Sequence, residues 1–339
     1  MILVTGAAGH VGNVLVRELI ERGKTVRALV LPGEDRSALD GLPVEIVEGD
    51  VLNPETLRAA FSGVEIVYHL AGIIAILPGQ ELLMRRVNIE GTRNILAAAL
   101  QSGVRRMVYT SSIHALQRPP QGVIIDESLH FDVSNPAGEY DRSKAAASLE
   151  VTKAVAEYGL DAVIVCPTGV VGPFDFRQSE MGELIRGWMA NKVSITVDGS
   201  FDFVDVRDVA RGHILACENG RRGATYILGG ERVSLEWMWR IVSQVTGLRA
   251  SSIKIPMPLA IIGSWFAPWY YRLARSTPRF TRYALETVQS NSHISIARAR
   301  RELGYQPRSL ATSLGDTVRW WLERGRALTP VLVPPDLQQ

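Results

Sequence analysis

The sequence predicts an α/β fold, in which a doubly wound parallel sheet is joined to a smaller, mostly helical C-terminal domain. Short apolar runs alternate with helical patterns along the chain, as in a right-handed parallel α/β sheet. Gly6, Gly9 and Gly12 separate the first apolar run from the first helical pattern. The length of 339 residues exceeds that of most single domains, so a second domain is expected.

The individual elements follow from the same two patterns. Each predicted strand is a short apolar run, typical of a sheet that is covered on both faces, and each predicted helix repeats its apolar residues at helical spacing. The predicted strands cover 1–4, 25–31, 44–47, 66–70, 106–110 and 162–165, and the predicted helices include 10–22, 81–102, 234–246 and 309–324.

The glycine triplet predicts a dinucleotide site. Glycine permits a tight turn, leaves room for a pyrophosphate against backbone N–H groups, and lets the helix pack closely on the strand. The phosphates then lie at a helix N-terminus, where the dipole favours anions. The spacing is Gly-x-x-Gly-x-x-Gly, whereas the usual fingerprint is Gly-x-Gly-x-x-Gly. The order of strand, glycines and helix that the binding mechanism requires is nevertheless present. A tight turn that binds no ligand is the alternative.

Further cofactor contacts are expected where parallel strands end, because open parallel sheets bind ligands at that edge. Asp50 ends the third strand and is a candidate adenine contact, although a turn carboxylate is the alternative interpretation. Ala71 and Gly72 follow the fourth strand, where the backbone would approach the cofactor.

The end of the second strand leaves the choice between NAD and NADP open. An acidic residue there binds the ribose hydroxyls of NAD, whereas an arginine accommodates the 2′-phosphate of NADP. Leu31 offers neither, but Glu34 and Arg36 follow within reach in a Pro-Gly turn.

Composition and charge exclude several other classes. A net charge of +2 gives no electrostatic reason to expect nucleic acid, so a small molecule is the expected partner. Cys166 and Cys217 are the two cysteines; both lie in apolar runs, and neither a disulfide nor a metal site is expected. The first strand leaves no room for a signal peptide, and no apolar run is long enough to span a membrane, so we expect a cytoplasmic protein.

Ser112 ends the fifth strand, and Tyr140 and Lys144 lie one helical turn apart. Together with the glycine triplet, this pattern resembles the extended short-chain dehydrogenase/reductase superfamily, which includes NAD-dependent epimerases and dehydratases. The resemblance covers nearly the whole chain. Further matching segments are Gly49-Asp50-Val51, His69-Leu-Ala-Gly72, Val87-Asn-Ile-Glu-Gly-Thr-Arg-Asn94, Pro167-Thr-Gly-Val-Val-Gly-Pro173, Phe203-Val-Asp-Val-Arg-Asp-Val-Ala210 and Glu302-Leu-Gly-Tyr305.

The resemblance implies that Tyr140 is the acid/base, that Lys144 activates it and binds the ribose, and that Ser112 orients the substrate carbonyl. The pKa of a free tyrosine is about 10, so proton exchange near neutrality requires a neighbouring cation that favours phenolate. The competing interpretation of Tyr140 is an exposed helical tyrosine. For Ser111 we favour a structural role, and for Asn88 a role beside the cofactor and a bond to backbone are equally supported.

The glycine triplet, the strand ends and the resemblance together predict a set of cofactor contacts, and no metal site is expected. The expected cofactor contacts are Gly6, Ala8, Gly9, His10, Val11, Gly12, Arg36, Asp50, Val51, Leu70, Ala71, Gly72, Asn88, Thr110, Ser111, Tyr140, Lys144, Pro167, Gly169 and Val170.

Departures from the family pattern bear on the substrate. Many nucleotide-sugar epimerases of the family have arginine where this chain has Phe201, and relatives often have arginine where it has Cys166. A sugar diphosphate is therefore disfavoured, although Arg177, after Phe174, is able to substitute. The candidate substrate contacts are His114, Phe174, Arg177 and Phe201. His114 is expected to face the substrate, with a structural histidine as the favoured alternative.

An apolar segment, 256–271, carries Trp265, Phe266 and Trp269. Core packing is its favoured role; a lid over an apolar substrate and contact with a membrane surface or a partner are the alternatives.

These observations predict NAD(P)-dependent oxidation of an alcohol, or reduction of a ketone or aldehyde, on a mainly apolar small molecule. The dihydroflavonol reductase and 3β-hydroxysteroid dehydrogenase branch is the part of the superfamily that the chain resembles. A nucleotide-sugar epimerase or dehydratase is the enzymatic alternative, and a non-catalytic sensor or scaffold is the other.

The expected Rossmann-type domain comprises 1–170 and 202–230, and the substrate domain comprises 171–201 and 231–327. The tail 328–339 is expected to be poorly ordered. The sequence leaves a homodimer open.

Overall fold

The computed structural model of the protein describes residues 1–74, 79–190, 193–247, 251–261 and 282–328. The aromatic residues predicted to pack or cover the substrate, in 262–271, lie outside these ranges, as does the tail from 329 onward. No helix in the described ranges is long and apolar enough to cross a membrane.

The centre of the molecule is a seven-stranded, fully parallel sheet in the order β3-β2-β1-β4-β5-β6-β10. Its strands are β1 (Ile2–Thr5), β2 (Val26–Val30), β3 (Glu45–Glu48), β4 (Ile66–His69), β5 (Arg106–Thr110), β6 (Ala162–Pro167) and β10 (Thr225–Leu228). The strand order reverses direction between β1 and β4, and ligands bind at such a switch point in doubly wound folds.

Both faces of the sheet are buried, as the apolar runs predict. Leu3 and Met107 point into one apolar cluster, while Val4 and Val108 point into the other. Neighbouring residues of a strand face opposite sides of the sheet, so each strand contributes to both clusters.

Helices cover the sheet and complete the C-terminal part. They are α1 (His10–Glu21), α2 (Pro54–Ala60), α3 (Glu81–Arg85), α4 (Thr92–Gln101), α5 (Glu139–Tyr158), α6 (Glu180–Ala190), α7 (Val206–Asn219), α8 (Leu235–Thr246), α9 (Arg282–Gln289) and α10 (Leu310–Leu328). In the C-terminal part, α8 packs against both α6 and α10.

Two small sheets accompany these helices. One has the order β11-β9-β7, and in the other β8 pairs parallel with β12. These strands are β7 (Gly169–Val171), β8 (Val193–Val197), β9 (Ser200–Asp205), β11 (Glu231–Ser234) and β12 (Ser251–Ile255). Phe201, at the start of β9, is buried in the apolar cluster that also contains Met107 and Tyr109 of β5.

The single helix predicted over 81–102 is interrupted. A π-helical stretch, Arg86–Gly91, separates α3 from α4. The Asn88 side chain bonds the backbone N–H and C=O of Ile73 at 2.8 and 3.1 Å, and Thr92 Oγ1 donates to the Asn88 carbonyl at 2.6 Å. The π-helical turn thus connects the segment that follows β4 to the helical region 81–101. Such turns are frequent at functional sites.

Candidate active site

Gly6 and Gly12 are required by the fold itself. Gly6 has φ +65°, and a Cβ atom there would lie 2.7 Å from the Ala71 nitrogen. At Gly12 a Cβ atom would lie 2.1 Å from the Gly6 carbonyl oxygen. Both positions let β1, α1 and the exit of β4 meet without a side chain between them.

Gly9 is different, because its backbone suits any residue and an added Cβ atom would have one close neighbour. Its φ is −73° and ψ 172°, and the one described atom near an added Cβ is the Gly6 oxygen at 3.2 Å. No side chain caps the N-terminus of α1. Open space beside unpaired helix N–H groups fits the pyrophosphate of a dinucleotide.

Two side chains fix this turn, and sequence reasoning missed one of them. Asn13 Nδ2 donates to the carbonyls of Gly9, His10 and Phe174 at 2.8, 3.0 and 3.1 Å. His10 Nε2 lies 3.0 Å from the Pro173 carbonyl oxygen. Nothing in the sequence pattern distinguishes Asn13 from an ordinary polar helix residue.

The other predicted contacts of the dinucleotide lie around this turn. Ala8 is buried, Val11 and Leu70 are half-buried, and the Ala71 N–H donates to Thr5 Oγ1 at 3.1 Å. Asp50 Oδ1 accepts from the Leu52 N–H at 2.8 Å, so this carboxylate closes a turn, as the alternative interpretation proposed.

Val51 and Gly72 line the two sides of the helix that carries Asn88. Val51 is buried, and its side chain would lie 2.7 Å from a Cβ atom at Gly91. A Cβ atom on Gly72 would lie 3.1 Å from Asn88 Oδ1 and 3.2 Å from Lys144 Nζ. The missing side chain of Gly72 therefore leaves room where Asn88 and Lys144 converge.

The residues that follow β2 do not distinguish a site for NAD from a site for NADP. Leu31 is 49% exposed, and Arg36 lies exposed 3.8 Å from Glu48. Glu34 accepts from the Leu31 N–H at 2.9 Å and also pairs with Arg177. Carboxylates and guanidinium groups are therefore both present at this end of the strand.

Ser112 and Tyr140 are brought together, as the resemblance implies. Ser112 follows β5 and caps a short 3₁₀ turn, its Oγ accepting from the His114 N–H at 3.2 Å. Tyr140 lies in the first turn of α5. Burial raises the pKa of Tyr140 to about 12, and the nearby Ser112 hydroxyl opposes that rise. Tyr140 is therefore a protonated donor at neutral pH.

Lys144 lies one turn further along α5 and is buried. Its Nζ donates to the Thr110 carbonyl at 2.8 Å and lies 5.4 Å from the Tyr109 ring centroid. Burial lowers the pKa of Lys144 to about 8. The expectation that Lys144 favours the Tyr140 phenolate does not describe this arrangement, in which burial of the phenol dominates its pKa.

Several predicted contacts have structural partners. Ser111 Oγ lies 2.7 Å from Ser148 Oγ, which matches its favoured structural role. Thr110 Oγ1 lies 2.7 Å from His213 Nε2. Asn88 Nδ2 also reaches the hydroxyl oxygen of Ser143, at 3.0 Å. These side chains hold β5 and the π-helical stretch against neighbouring elements.

The strand exit after β6 supplies the last predicted cofactor contacts. Pro167 pairs with Leu228 of β10, and Val170 pairs with Val204 of β9. A Cβ atom at Gly169 would lie 2.7 Å from the ring of Phe203, so glycine is required there by packing.

The four predicted substrate residues separate into two pairs. His114 and Phe201 stack with ring centroids 5.5 Å apart and planes 4° apart. Phe174 instead lies 6.0 Å from Trp320, and Arg177 pairs with Glu34. The structure therefore brings His114 and Phe201 together beyond Ser112, places Arg177 at the end of β2 and packs Phe174 against Trp320 of α10.

A partly buried ion pair beside His114 has no counterpart among the residues predicted from the sequence. Asp141, adjacent to Tyr140, is fully buried, and Arg118 Nη2 donates to its Oδ1 at 2.9 Å. The residues lie 23 positions apart, and no motif links them. No group of three or more potential metal ligands occurs in the described parts of the chain.

Comparison with known proteins adds to this geometry. The model of the NAD dependent epimerase/dehydratase family matches residues 2–229. Sterol demethylase protein B of Methylococcus capsulatus is 37% identical over 329 residues, covering 95% of this chain and 98% of that protein. The 3-beta-hydroxysteroid dehydrogenase of Mycolicibacterium neoaurum is 30% identical over 325 residues, or 90% and 87% of the two chains. The crystal structure of gox2253 superposes with a TM-score of 0.84 at 36% identity, covering 96% and 99%.

Proposed function

Because this chain belongs to the NAD dependent epimerase/dehydratase family, we propose that it transfers a hydride between a nicotinamide cofactor and the alcohol or carbonyl carbon of a mainly apolar small molecule. The observation that carries the proposal is the position of the Tyr140 phenol, close enough to Ser112 for that hydroxyl to affect its pKa, together with the stacked rings of His114 and Phe201 beyond Ser112.

Each residue then has a definite task. The bound cofactor supplies or accepts the hydride. Tyr140, protonated at neutral pH, donates a proton to the carbonyl oxygen during reduction, and Ser112 orients that oxygen by a hydrogen bond. Lys144, held at the Thr110 carbonyl, is placed to bind the ribose and to contribute positive charge. The open space at Gly9 accepts the pyrophosphate.

The surroundings support an apolar substrate. Phe201 is only 4% exposed, and burial raises the pKa of the Cys166 thiol to about 12, so that both positions are uncharged. A sugar diphosphate would need cationic donors there, since an unpaired buried diphosphate is costly. The two relatives described above are named for a sterol and a hydroxysteroid, which are mainly apolar molecules.

The proposal also includes a cytoplasmic location and a homodimeric assembly. Both cysteines are free thiols, which supports a reducing, cytoplasmic setting. The division into a Rossmann-type domain and a substrate domain, and a homodimer, stay predictions.

Replacing the phenol tests the proton-transfer role. Tyr140→Phe is expected to lower turnover roughly 100-fold or more while cofactor affinity stays near wild type, because a positioned proton donor is lost. Tyr158→Phe is the matched control, since Tyr158 lies on the same helix and is 62% exposed. Steady-state kinetics and cofactor titration measure both quantities. Equal turnover in Tyr140→Phe and the control would remove the assignment.

A further inference from the structure

A chain of hydrogen bonds runs through the core from the end of β1 to the start of α4. Its central member is His69, the last residue of β4, which is completely buried. His69 Nδ1 lies 2.7 Å from Thr5 Oγ1, and His69 Nε2 lies 3.1 Å from Thr92 Oγ1. The chain thus links the strand before the glycine turn to two segments that carry the family resemblance, and the proposed hydride transfer gives these three side chains no task.

The His69 ring is neutral. Burial, with a smaller contribution from Lys144, lowers the pKa of His69 to about 3. Both groups lie beside the Tyr109 ring, whose centroid is 5.6 Å from that of His69 and 5.4 Å from Lys144 Nζ. A protonated His69 would place a second positive charge in this part of the core.

The neighbours of His69 fix which of its nitrogens carries the proton. Thr92 Oγ1 donates to the Asn88 carbonyl at 2.6 Å, because a carbonyl oxygen only accepts. The Thr92 hydroxyl has therefore used its one proton and must accept from His69 Nε2. At the other end, Thr5 Oγ1 accepts from the Ala71 N–H at 3.1 Å and donates its own proton to His69 Nδ1. His69 is thus the tautomer with its proton on Nε2.

Both ends of this chain hold the backbone that follows β4. Ala71 is bound through its N–H by the first hydroxyl of the chain, and Ile73 through its N–H and C=O by the Asn88 side chain, at 2.8 and 3.1 Å. Gly72 lies between them, where an added Cβ atom would meet Asn88 Oδ1 and Lys144 Nζ. The position of this backbone therefore determines the space beside Lys144.

We propose, as an extension that rests on the proposed function, that His69 is a positioning residue for the dinucleotide. Protonated on Nε2, it connects β1 to α4 and so holds the backbone 71–73 where the cofactor ribose fits beside Lys144. A missing link in the chain lets this backbone move while the fold remains, since buried polar networks specify position only when every member is satisfied. His69 acts through the backbone at Gly72 and touches neither cofactor nor substrate.

Substitutions at Thr5 separate the hydrogen bond from the packing of the core. Thr5→Val keeps the shape and removes the hydroxyl, whereas Thr5→Ser keeps the hydroxyl and removes a buried methyl group. Both should lower the melting temperature, since a buried bond is lost in one and packing in the other. Thr5→Val should weaken binding of NAD or NADP about 10-fold, the scale of one unmade buried hydrogen bond, while Thr5→Ser stays within about 2-fold of wild type. Calorimetric titration without substrate measures both affinities.

A second pair of variants tests the other end of the chain. Thr92 and Thr317 are both 1% exposed, and Thr317 Oγ1 likewise donates to a carbonyl one helical turn earlier, that of Ser313, at 2.7 Å. Valine therefore removes the same kind of bond at both positions, but only Thr92 also accepts from His69. Thr92→Val should weaken dinucleotide binding about 10-fold, and Thr317→Val should leave it at the wild-type value.

The tautomer is tested by the ¹⁵N NMR spectrum of protein labelled at its six histidines. The His69 ring is the one whose signals change in both Thr5→Ser and Thr92→Val. In wild type near neutral pH its Nε2 should be protonated and its Nδ1 unprotonated.

Equal affinities in Thr5→Val and Thr5→Ser, or in Thr92→Val and Thr317→Val, would show a purely structural role and overturn the inference. So would a proton on Nδ1 of His69, or wild-type protein that binds neither dinucleotide. Reduction of a ketone by wild type, with no difference within either pair of variants, would refute this inference alone. The predicted affinities without turnover of any ketone would refute the proposed hydride transfer alone.

Discussion

The glycine turn after β1 and the polar cluster beyond Ser112 are built by opposite means. At the glycine turn, Gly6 and Gly12 let backbone segments pack closely, and Gly9 leaves space beside the uncapped N-terminus of α1. Beyond Ser112, Arg118 and Asp141 come from separate segments and meet through their side chains. A site made of backbone has a glycine spacing that can be read in the sequence, whereas a site made of distant side chains has no such signature.

The largest effects are expected for substitutions in the glycine turn, where Gly12 serves backbone packing and Gly9 leaves space for the cofactor. Gly12→Ala should destabilise the protein by about 3 kcal/mol or more, since its Cβ would overlap the Gly6 oxygen and force the backbone apart. Gly9→Val should cost much less stability than Gly12→Ala, because its one close contact is at 3.2 Å rather than 2.1 Å, and should abolish binding of NAD and NADP. Urea denaturation and calorimetric titration measure the two quantities.

Unchanged dinucleotide affinity in a folded Gly9→Val protein would contradict the placement of the pyrophosphate. Loss of folding in that variant would show that Gly9, like Gly12, serves packing alone.

Much of the cofactor side was predictable because it follows local rules. The family and the parallel α/β fold are confirmed, and so is a nicotinamide dinucleotide as cofactor. Strand β5 was predicted with its observed bounds, 106–110. The spacing of Tyr140 and Lys144 needs only helical periodicity, and Ser112 needs only the end of an apolar strand.

The unpredicted features depend on contacts between distant residues. The π-helical stretch reflects the bonds of Asn88 to Ile73, which no helical periodicity reveals. The position of Lys144 at the Thr110 carbonyl depends on how α5 packs beside β5. The Arg118–Asp141 pair likewise requires the loop after Ser112 to fold back on α5.

The pH dependence of kcat/KM tests the role of Lys144, the cation between the glycine turn and the polar cluster. The pKa of Lys144 is lowered to about 8, so its charge is present below that pH and lost above it. Tyr140, with a pKa of about 12, stays protonated throughout. In the reductive direction kcat/KM should therefore fall up to about 10-fold per pH unit above pH 8, as expected for loss of one required proton.

Lys144→Arg is the matched variant, because arginine keeps its charge across this range. Its activity is expected to be lower overall but nearly constant from pH 7 to about pH 10. A descending limb at the same pH in both proteins would assign the titration to another group.

The smallest effect is expected at Gly72, where an added methyl group meets flexible neighbours. The Cβ atom would lie 3.1 Å from Asn88 Oδ1 and 3.2 Å from Lys144 Nζ, so these side chains must move slightly. Gly72→Ala should weaken cofactor binding roughly 3- to 10-fold, the scale of about 1 kcal/mol, without unfolding the protein. Fluorescence titration with the reduced cofactor measures this change. A loss as large as that of Gly9→Val would place the phosphates nearer to β4 than we propose.

Net consumption of the nicotinamide cofactor tests the central claim most directly. Wild-type protein with NADH or NADPH is supplied with hydrophobic ketones and, separately, with UDP- and dTDP-sugars, while nicotinamide absorbance and melting temperature are recorded. We predict a stoichiometric loss of reduced cofactor with at least one ketone, and neither turnover nor a rise in melting temperature with the sugar nucleotides. Because stabilisation increases with ligand concentration relative to Kd, even an unproductive sugar nucleotide would raise the melting temperature. A clear rise with a sugar nucleotide, with no oxidation of cofactor by any ketone, would contradict the account and favour an epimerase.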